Sequence, residues 1–160
     1  MTKTEFINQM ARACDEAYAR GARFNKAVVF AQAALESSWG NSELAQQANN
    51  IFSIKAGVTW DGPTHQLTAA EWHYQQGWYQ ASSAWRKYPD WTACIIDYAA
   101  IIAAAPWYQA ALEHIDDPDR FLAALLPSAS KPGWATDPDY YRKVVRTAAE
   151  LESYGGPKWS

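Results

Sequence analysis

The sequence predicts an α+β fold, mostly α, with one small antiparallel β-lobe set between helices. Three observations predict it. Apolar residues recur at helical spacing along most of the chain, and those stretches open on capping residues. The helical pattern breaks at length over residues 56–89, where Gly57, Gly62, Pro63 and Gly77 punctuate two alternating stretches. The 160 residues suffice for one ordinary core without disulfide or metal, so the expected organisation is a single domain over 1–160.

The first helix opens on a capping box, Thr2-x-x-Glu5, and carries Phe6, Ile7, Met10, Cys14, Ala17 and Tyr18 at helical spacing as far as Gly21. Asn25 caps the second, with Phe24 and Val29 placed as a hydrophobic staple and Val28, Ala31 and Leu35 as its buried stripe. Asn41 or Ser42 starts a short helix to Ala48. In the β-lobe, 66–74 and 78–88 pair around Gln75-Gln76-Gly77, and period-two alternation puts Glu71 and His73 on one face, Trp72 and Tyr74 on the other. Asp90 caps a helix over 91–105 that is apolar nearly all round, a pattern expected at the centre of a fold. Pro106 ends it and opens a shorter helix through His114. Asp117-Pro118 supplies a cap and a first-turn proline for a helix ending near Leu126, and Asp137-Pro138 repeats the device. The last helix takes Tyr141, Val144, Val145, Ala148 and Leu151 as its buried stripe, and 155–160 read as a frayed tail.

A formal charge of -3 points neither to nucleic acid nor to an anionic membrane surface. Cys14 and Cys94 form no Cys-x-x-Cys, and each sits in an apolar helical face, which favours two buried free thiols. His65, His73 and His114 lack metal-ligand spacing, so no metal and no cofactor are expected. The N-terminus lacks the apolar run of a secretory signal, and no stretch reaches membrane-spanning length. Nine Trp and nine Tyr exceed what helical stripes use, leaving flat rings in turn-rich segments where sugar or peptide can stack.

Glu36 is the residue on which the chemistry turns. It follows Val29 by seven positions, about 700° of helix, and so returns to within roughly 20° of that apolar position. It also stands in the last turn before Gly40, where free carbonyls make the helix end negative. Desolvation and that negative end both favour a retained proton, as a general acid requires. The residues alone leave open the plainer use, a helix-end Glu reaching into solvent. Glu71 is likewise either a second carboxylate or a solvated strand residue. Asn49-Asn50 reads as a turn or as amides offered to a sugar.

Three ordered segments carry a resemblance. Ala33-Ala34-Leu35-Glu36-Ser37-Ser38-Trp39-Gly40-Asn41-Ser42 resembles the catalytic-Glu motif of glycoside hydrolase family 73, the peptidoglycan N-acetylglucosaminidases. Asn49-Asn50-Ile51-Phe52-Ser53-Ile54-Lys55 resembles the family's Asn-Asn-Leu-Phe-Gly-Ile-Lys, and Gly133-Trp134-Ala135-Thr136-Asp137-Pro138 its Gly-Tyr-Ala-Thr-Asp-Pro. Trp85-Arg86-Lys87-Tyr88 matches a Phe/Trp-Arg-x-Tyr between them. The resemblance spans nearly the whole chain. It implies a lysozyme-like fold, with a helical lobe and a β-lobe (56–89) flanking a glycan groove. It implies Glu36 as general acid and Glu71 as the β-lobe carboxylate. Trp39, Asn50, Phe52, Trp72 and Trp134 are then the candidate groove residues.

Ser38 and Ser53 stand where the family commonly has glycine, a change expected to touch backbone freedom and not chemistry. Trp134 replaces the usual Tyr; an indole N–H donates a hydrogen bond but transfers no proton. The implied substrate is the β-1,4 bond between GlcNAc and MurNAc in peptidoglycan glycan strands, with bacteriolysis as the outcome. A muramidase or lytic transglycosylase on the same fold, or a non-catalytic glycan-binding module, is the alternative. Without a Sec signal, access to periplasm or wall is expected through type VI secretion or a phage holin. The first route implies a periplasmic immunity protein that plugs the groove.

Overall fold

Side-chain caps fix most helix starts in the computed structural model, which describes the backbone of residues 1–160 and every side chain except that of Ala69. α1 (Lys3–Ala19) opens on a complete capping box: Glu5 N donates to Thr2 Oγ1 at 3.2 Å and Thr2 N to Glu5 Oε2 at 2.6 Å. Asn25 caps α2 (Lys26–Glu36) by accepting from Val28 N at 3.1 Å. Ser42, not Asn41, caps α3 (Glu43–Ala48). Asp90 caps α4 (Trp91–Ala104), and a 3-10 turn over Pro106–Tyr108 leads into α5 (Gln109–Glu113). Asp117 caps α6 (Pro118–Ala124) with Pro118 in its first turn, as the sequence predicts.

The second Asp-Pro behaves differently. Asp137 Oδ1 accepts from Asp139 N at 2.8 Å, an Asx turn that leaves Pro138 outside the helix. α7 (Tyr140–Ser153) therefore starts at Tyr140 and has no side-chain cap. Its buried stripe is Tyr140, Val144, Thr147, Ala148 and Leu151, so Tyr140 takes the place expected of Tyr141. Tyr141 is partly exposed and donates to Asp119 at 2.7 Å.

The centre of the fold is α2, not α4. Every residue of α2 from Ala27 to Ala34 is buried, and α1, α6 and α7 pack around it. Burying Val28, Val29 and Phe30 there contributes about 1.5–3 kcal/mol each. α4 buries Trp91, Cys94, Ile95, Tyr98, Ala99 and Ile102, largely against α1, while Ala100, Ala103 and Ala104 face solvent. Alanine exposes too little apolar surface to force that side inward. Cys14 and Cys94 are both buried free thiols; burial pushes Cys14 up to about 12 and Cys94 upward likewise, leaving them unreactive.

The β-lobe is a two-stranded antiparallel hairpin, β1 (Thr64–His73) and β2 (Gly77–Arg86), in register from Thr64↔Arg86 to His73↔Gly77. Trp85 anchors it: this residue is 4% exposed, packs with Leu44 and Ala48 of α3, and donates from Nε1 to Leu67 O. An isolated bridge between Lys55 and Trp85 ties the preceding loop to the same strand. The C-terminal tail is docked and not frayed, because Trp159 N donates to Glu152 at 2.7 Å and its indole N–H to Asp119 at 3.0 Å. Among the described residues no single helix is long and apolar enough to cross a membrane.

Candidate active site

α2 stops at Glu36 because the chain folds back at once. Ser37 Oγ donates to Ala33 O and accepts from Gly40 N at 2.8 Å, while Ser42 N reaches Ser37 O at 2.8 Å. The turn requires left-handed backbone at Ser38 (φ 50), Trp39 (φ 57) and Gly40 (φ 77). A Cβ on Gly40 would meet Met1 Sδ at 2.8 Å and the Trp91 ring at 3.0 Å, so the turn is closed as well as sharp.

The next loop is held by its asparagines. Asn49, left-handed at φ 51, donates to Tyr88 O and Pro89 O. Asn50 is fully buried: its Oδ1 accepts from Ile54 N at 2.9 Å, and its Nδ2 donates to Ile54 O at 2.9 Å and Arg86 O at 2.8 Å. These bonds present Phe52, Ser53 and Lys55 to a cleft of about 660 Å³ between the hairpin and the helices. Glu36, Ser53 and Tyr140 reach it from below, Glu71, Trp72 and Trp78 from the hairpin, and Trp134, Asp137 and Lys143 from the far wall.

Glu36 is half-buried, and that burial pushes its carboxyl up from 4.5 to about 7. Hydrogen bonds from Tyr140 and Ser53 pull the other way, the nearby Asp137 adds to the rise, and Lys143 opposes it. Behind the carboxyl lies a buried polar chain: Tyr98 Oη to Gln32 Oε1 at 2.6 Å, then Gln32 Nε2 to Tyr140 Oη at 2.9 Å. Burial, with Glu36 beside it, holds Tyr140 well above the usual phenol range, so it remains a donor.

On the hairpin, Glu71 pairs with Lys55 at 2.6 Å. Trp72 and Trp78 meet edge to face with ring centroids 5.7 Å apart, and Lys143 Nζ lies 5.4 Å from the Trp78 ring, linking hairpin to α7 across the cleft. Trp134 is half-buried against Tyr98, centroids 4.8 Å apart.

The family model described as mannosyl-glycoprotein endo-beta-N-acetylglucosaminidase matches residues 13–153, a span that includes every residue of this cleft. The chain belongs to this glucosaminidase family. Peptidoglycan hydrolase FlgJ of Pseudomonas aeruginosa is 34% identical over 128 residues, 78% of this chain and 31% of the relative. Exo-glucosaminidase LytG of Bacillus subtilis is 32% identical over 129 residues, 79% of this chain and 43% of the relative. The chain thus spans about a third to under half the length of these relatives. A peptidoglycan hydrolase mutant from Sphingomonas sp. A1 superposes with a TM-score of 0.77 at 26% identity, covering 94% of this chain and 97% of that one. With these neighbours the fold is lysozyme-like, mostly helical with a small antiparallel sheet.

Within this family frame, Glu36, Glu71, Phe52, Trp72 and Trp134 all line one cleft. Phe52 is only 1% exposed and stacks on Tyr98 at 4.5 Å, so it supports the floor and offers no open face. Two expected groove residues are not there. Trp39 is carried to the other side of the turn by its left-handed backbone, packing on Phe6 at 5.5 Å under Lys3 Nζ at 4.9 Å. Asn50 uses both ends of its amide on backbone and has nothing left for a sugar. Ser53 also does more than stand in for a glycine, since its hydroxyl donates to the Glu36 backbone oxygen at 3.5 Å and lines the same cleft.

Sequence reasoning passed over Gln32, Tyr140, Lys143 and Trp78. Gln32 had a signal: an amide inside an apolar helix, four residues before Glu36 and so on the same side. Tyr140 was hidden by the misplaced helix start, since the stripe 140, 144, 148, 151 is regular only when counted from it.

Proposed function

We propose that this glucosaminidase-family chain hydrolyses peptidoglycan glycan strands at the β-1,4 bond between N-acetylglucosamine and N-acetylmuramic acid, with Glu36 as general acid. The observation that carries this reading is the Glu36 carboxyl, raised by burial to about 7 on the floor of an open cleft with a second carboxylate on the facing hairpin. Near neutral pH much of the population holds the proton that the leaving glycosidic oxygen needs. The names of the relatives, a peptidoglycan hydrolase and an exo-glucosaminidase, support the substrate class.

In this mechanism Glu36 protonates the glycosidic oxygen as the bond to the anomeric carbon breaks, and positive charge develops on that sugar. Glu71, on the opposite side of the cleft, either draws a proton from an attacking water or orients the substrate's acetamido group as internal nucleophile. The anomeric configuration of the first product separates the two, inversion for the water and retention for the acetamido route. Trp72, Trp78 and Trp134 supply ring faces to the glycan, and Trp134 moves no proton.

The test is release of new reducing ends from purified sacculi by wild type and Glu36→Gln, with mass spectrometry of the fragments. Loss of at least about a hundredfold is expected on removing the acid, with N-acetylglucosamine at the new reducing ends. Undiminished activity in folded Glu36→Gln removes Glu36 from the mechanism. A 1,6-anhydro end identifies a lytic transglycosylase instead, and binding to sacculi without solubilisation identifies a glycan-binding module.

A further inference from the structure

We propose that Lys55 is the positioning residue for Glu71, and that Asp97 of α4, acting through Arg86, holds Lys55 where it can play this part. The helical lobe thereby aims the carboxylate of the β-lobe into the cleft. The proposal rests on the reading of Glu71 as the second carboxylate of the reaction, and assigns the residues that keep it in place.

The need for a positioning residue comes from the shape of the hairpin. Glu71 lies roughly 23 Å along β1 from Thr64, at the rise of an extended strand. Trp85 anchors the base of the hairpin on α3, and Trp78 meets Lys143 near its tip, so Glu71 sits between the two ties. Its side chain is 17% exposed, and Lys55 Nζ stands 2.6 Å from Oε1. Among the described residues, the other two cations lining the cleft are engaged elsewhere, Lys143 with Asp137 and Arg86 with Asp97.

A lysine stem is flexible, so its ammonium orients a carboxylate only where the stem itself is held. Lys55 is held at both ends. Its backbone bridges to Trp85, and its neighbours are tied to β2 by Ala56 N donating to Ala84 O at 2.9 Å and Arg86 N to Ile54 O at 3.0 Å. Its own carbonyl accepts from Arg86 Nε at 3.1 Å. Its ammonium lies 5.6 Å from the Trp85 ring centroid, a cation–π contact beside the ion pair with Glu71. Arg86 is fixed in turn: the guanidinium donates to Asp97 Oδ2 at 2.8 Å and lies 4.8 Å from the Trp60 ring centroid. The Tyr88 hydroxyl donates to the same Asp97 oxygen. Observed contacts therefore run unbroken from α4 to Glu71, and they give Trp85, Arg86 and Tyr88 of one short segment a common task.

The experiment measures kcat and KM for cleavage of soluble, uncrosslinked peptidoglycan strands by wild type, Glu71→Gln, Lys55→Met, Lys55→Arg, Asp97→Asn and the double Lys55→Met/Glu71→Gln variant. Lys55→Met keeps an apolar stem and removes the charge, so kcat should fall about tenfold while KM stays within about twofold. Lys55→Arg returns a cation to Glu71 and should recover most of that loss. Asp97 does not line the cleft, yet Asp97→Asn loosens Arg86 and should lower kcat in the same direction by less. In the Glu71→Gln background, removing the Lys55 charge should cost nothing further, because no carboxylate is left to aim. A merely structural role for Lys55 predicts a lower melting temperature and a kcat loss that persists in the double variant. Wild-type kcat in folded Lys55→Met, effects that add in the double variant, or a raised KM at unchanged kcat each overturn the proposal. Should Asp97→Asn fail to fold, the variants at half-exposed Lys55 decide. Full activity in folded Glu71→Gln defeats the reading of Glu71 as part of the reaction; an impaired Glu71→Gln beside an unimpaired Lys55→Met defeats the positioning role alone.

Discussion

Glu36→Gln should be inactive and also more stable than wild type at alkaline pH. Burial holds the Glu36 carboxyl at about 7 in the fold against 4.5 in an unperturbed chain. Between those values the folded protein keeps a proton that the unfolded chain has released. Stability therefore falls as pH rises through this window and stays lowered above it. The gap corresponds to about 3 kcal/mol at most, and water reaching the half-buried carboxyl brings the figure toward about 2 kcal/mol. Glutamine has nearly the same shape and no charge, so it escapes this term. The melting temperature of Glu36→Gln should match wild type near pH 4 and exceed it by about 4–8 °C around pH 8 for a chain of this size. Paired thermal melts followed by circular dichroism across that range measure the difference directly, and other titrating groups cancel. A difference that stays flat with pH would mean that Glu36 ionises without penalty, and would remove the physical basis for a carboxyl that holds its proton near neutrality.

Two further substitutions probe the serines that stand at left-handed backbone. Ser38, exposed and at φ 50, should gain from Ser38→Gly: relief of about 1 kcal/mol is partly offset by the freedom glycine adds to the unfolded chain, for a net rise in melting temperature of about 1–2 °C. A fall would show that the serine side chain holds the turn. Ser53→Ala keeps the backbone cost and removes the hydroxyl beside Glu36. The alkaline limb of activity should move up, because the Ser53 hydroxyl favours the ionised form of Glu36. A limb that stays put would assign the Ser53 hydroxyl to its 3.5 Å contact with the Glu36 backbone oxygen alone.

Features that depend on local chemistry were legible in the sequence. Thr2, Asn25, Asp90 and Asp117 each cap the helix they were expected to cap, because an oxygen two or three residues before free N–H groups needs no tertiary help. Asp137 shows the limit of that logic. The same Asp-Pro pair takes an Asx turn here, with the Asp137 carboxylate also paired to Lys143, and the helix begins later. That displacement moved the inward tyrosine from 141 to 140 and hid a residue that lines the cleft beside Glu36. The centre of the fold was misjudged for a different reason: apolar character all round α4 comes partly from alanines, which tolerate solvent, whereas α2 is enclosed by its neighbours. The docking of Trp159 depends on Glu152 and Asp119, contacts that no reading of residues 155–160 alone could supply.

Trp39 and Asn50 show why residues in the same motif as a half-buried carboxyl need not line its cleft. The site combines several unfavourable conditions within a few residues: a carboxyl in a poorly solvated place and left-handed serines at 38 and 53. Such conditions persist only where the surroundings over-determine them. Ser37 clamps the turn from inside, Gly40 admits the close approach of Trp91, and Trp39 is pinned on Phe6. Asn50 does the same for the facing loop, locking Ile54 and Arg86 so that Ser53 stays beside Glu36. The short spacing from Glu36 to Trp39 and Gly40 is thus a requirement of the turn that ends α2. Trp39 and Asn50 act on Glu36 through the backbone, by keeping its carboxyl at the end of a buried helix where it ionises reluctantly and still faces the cleft.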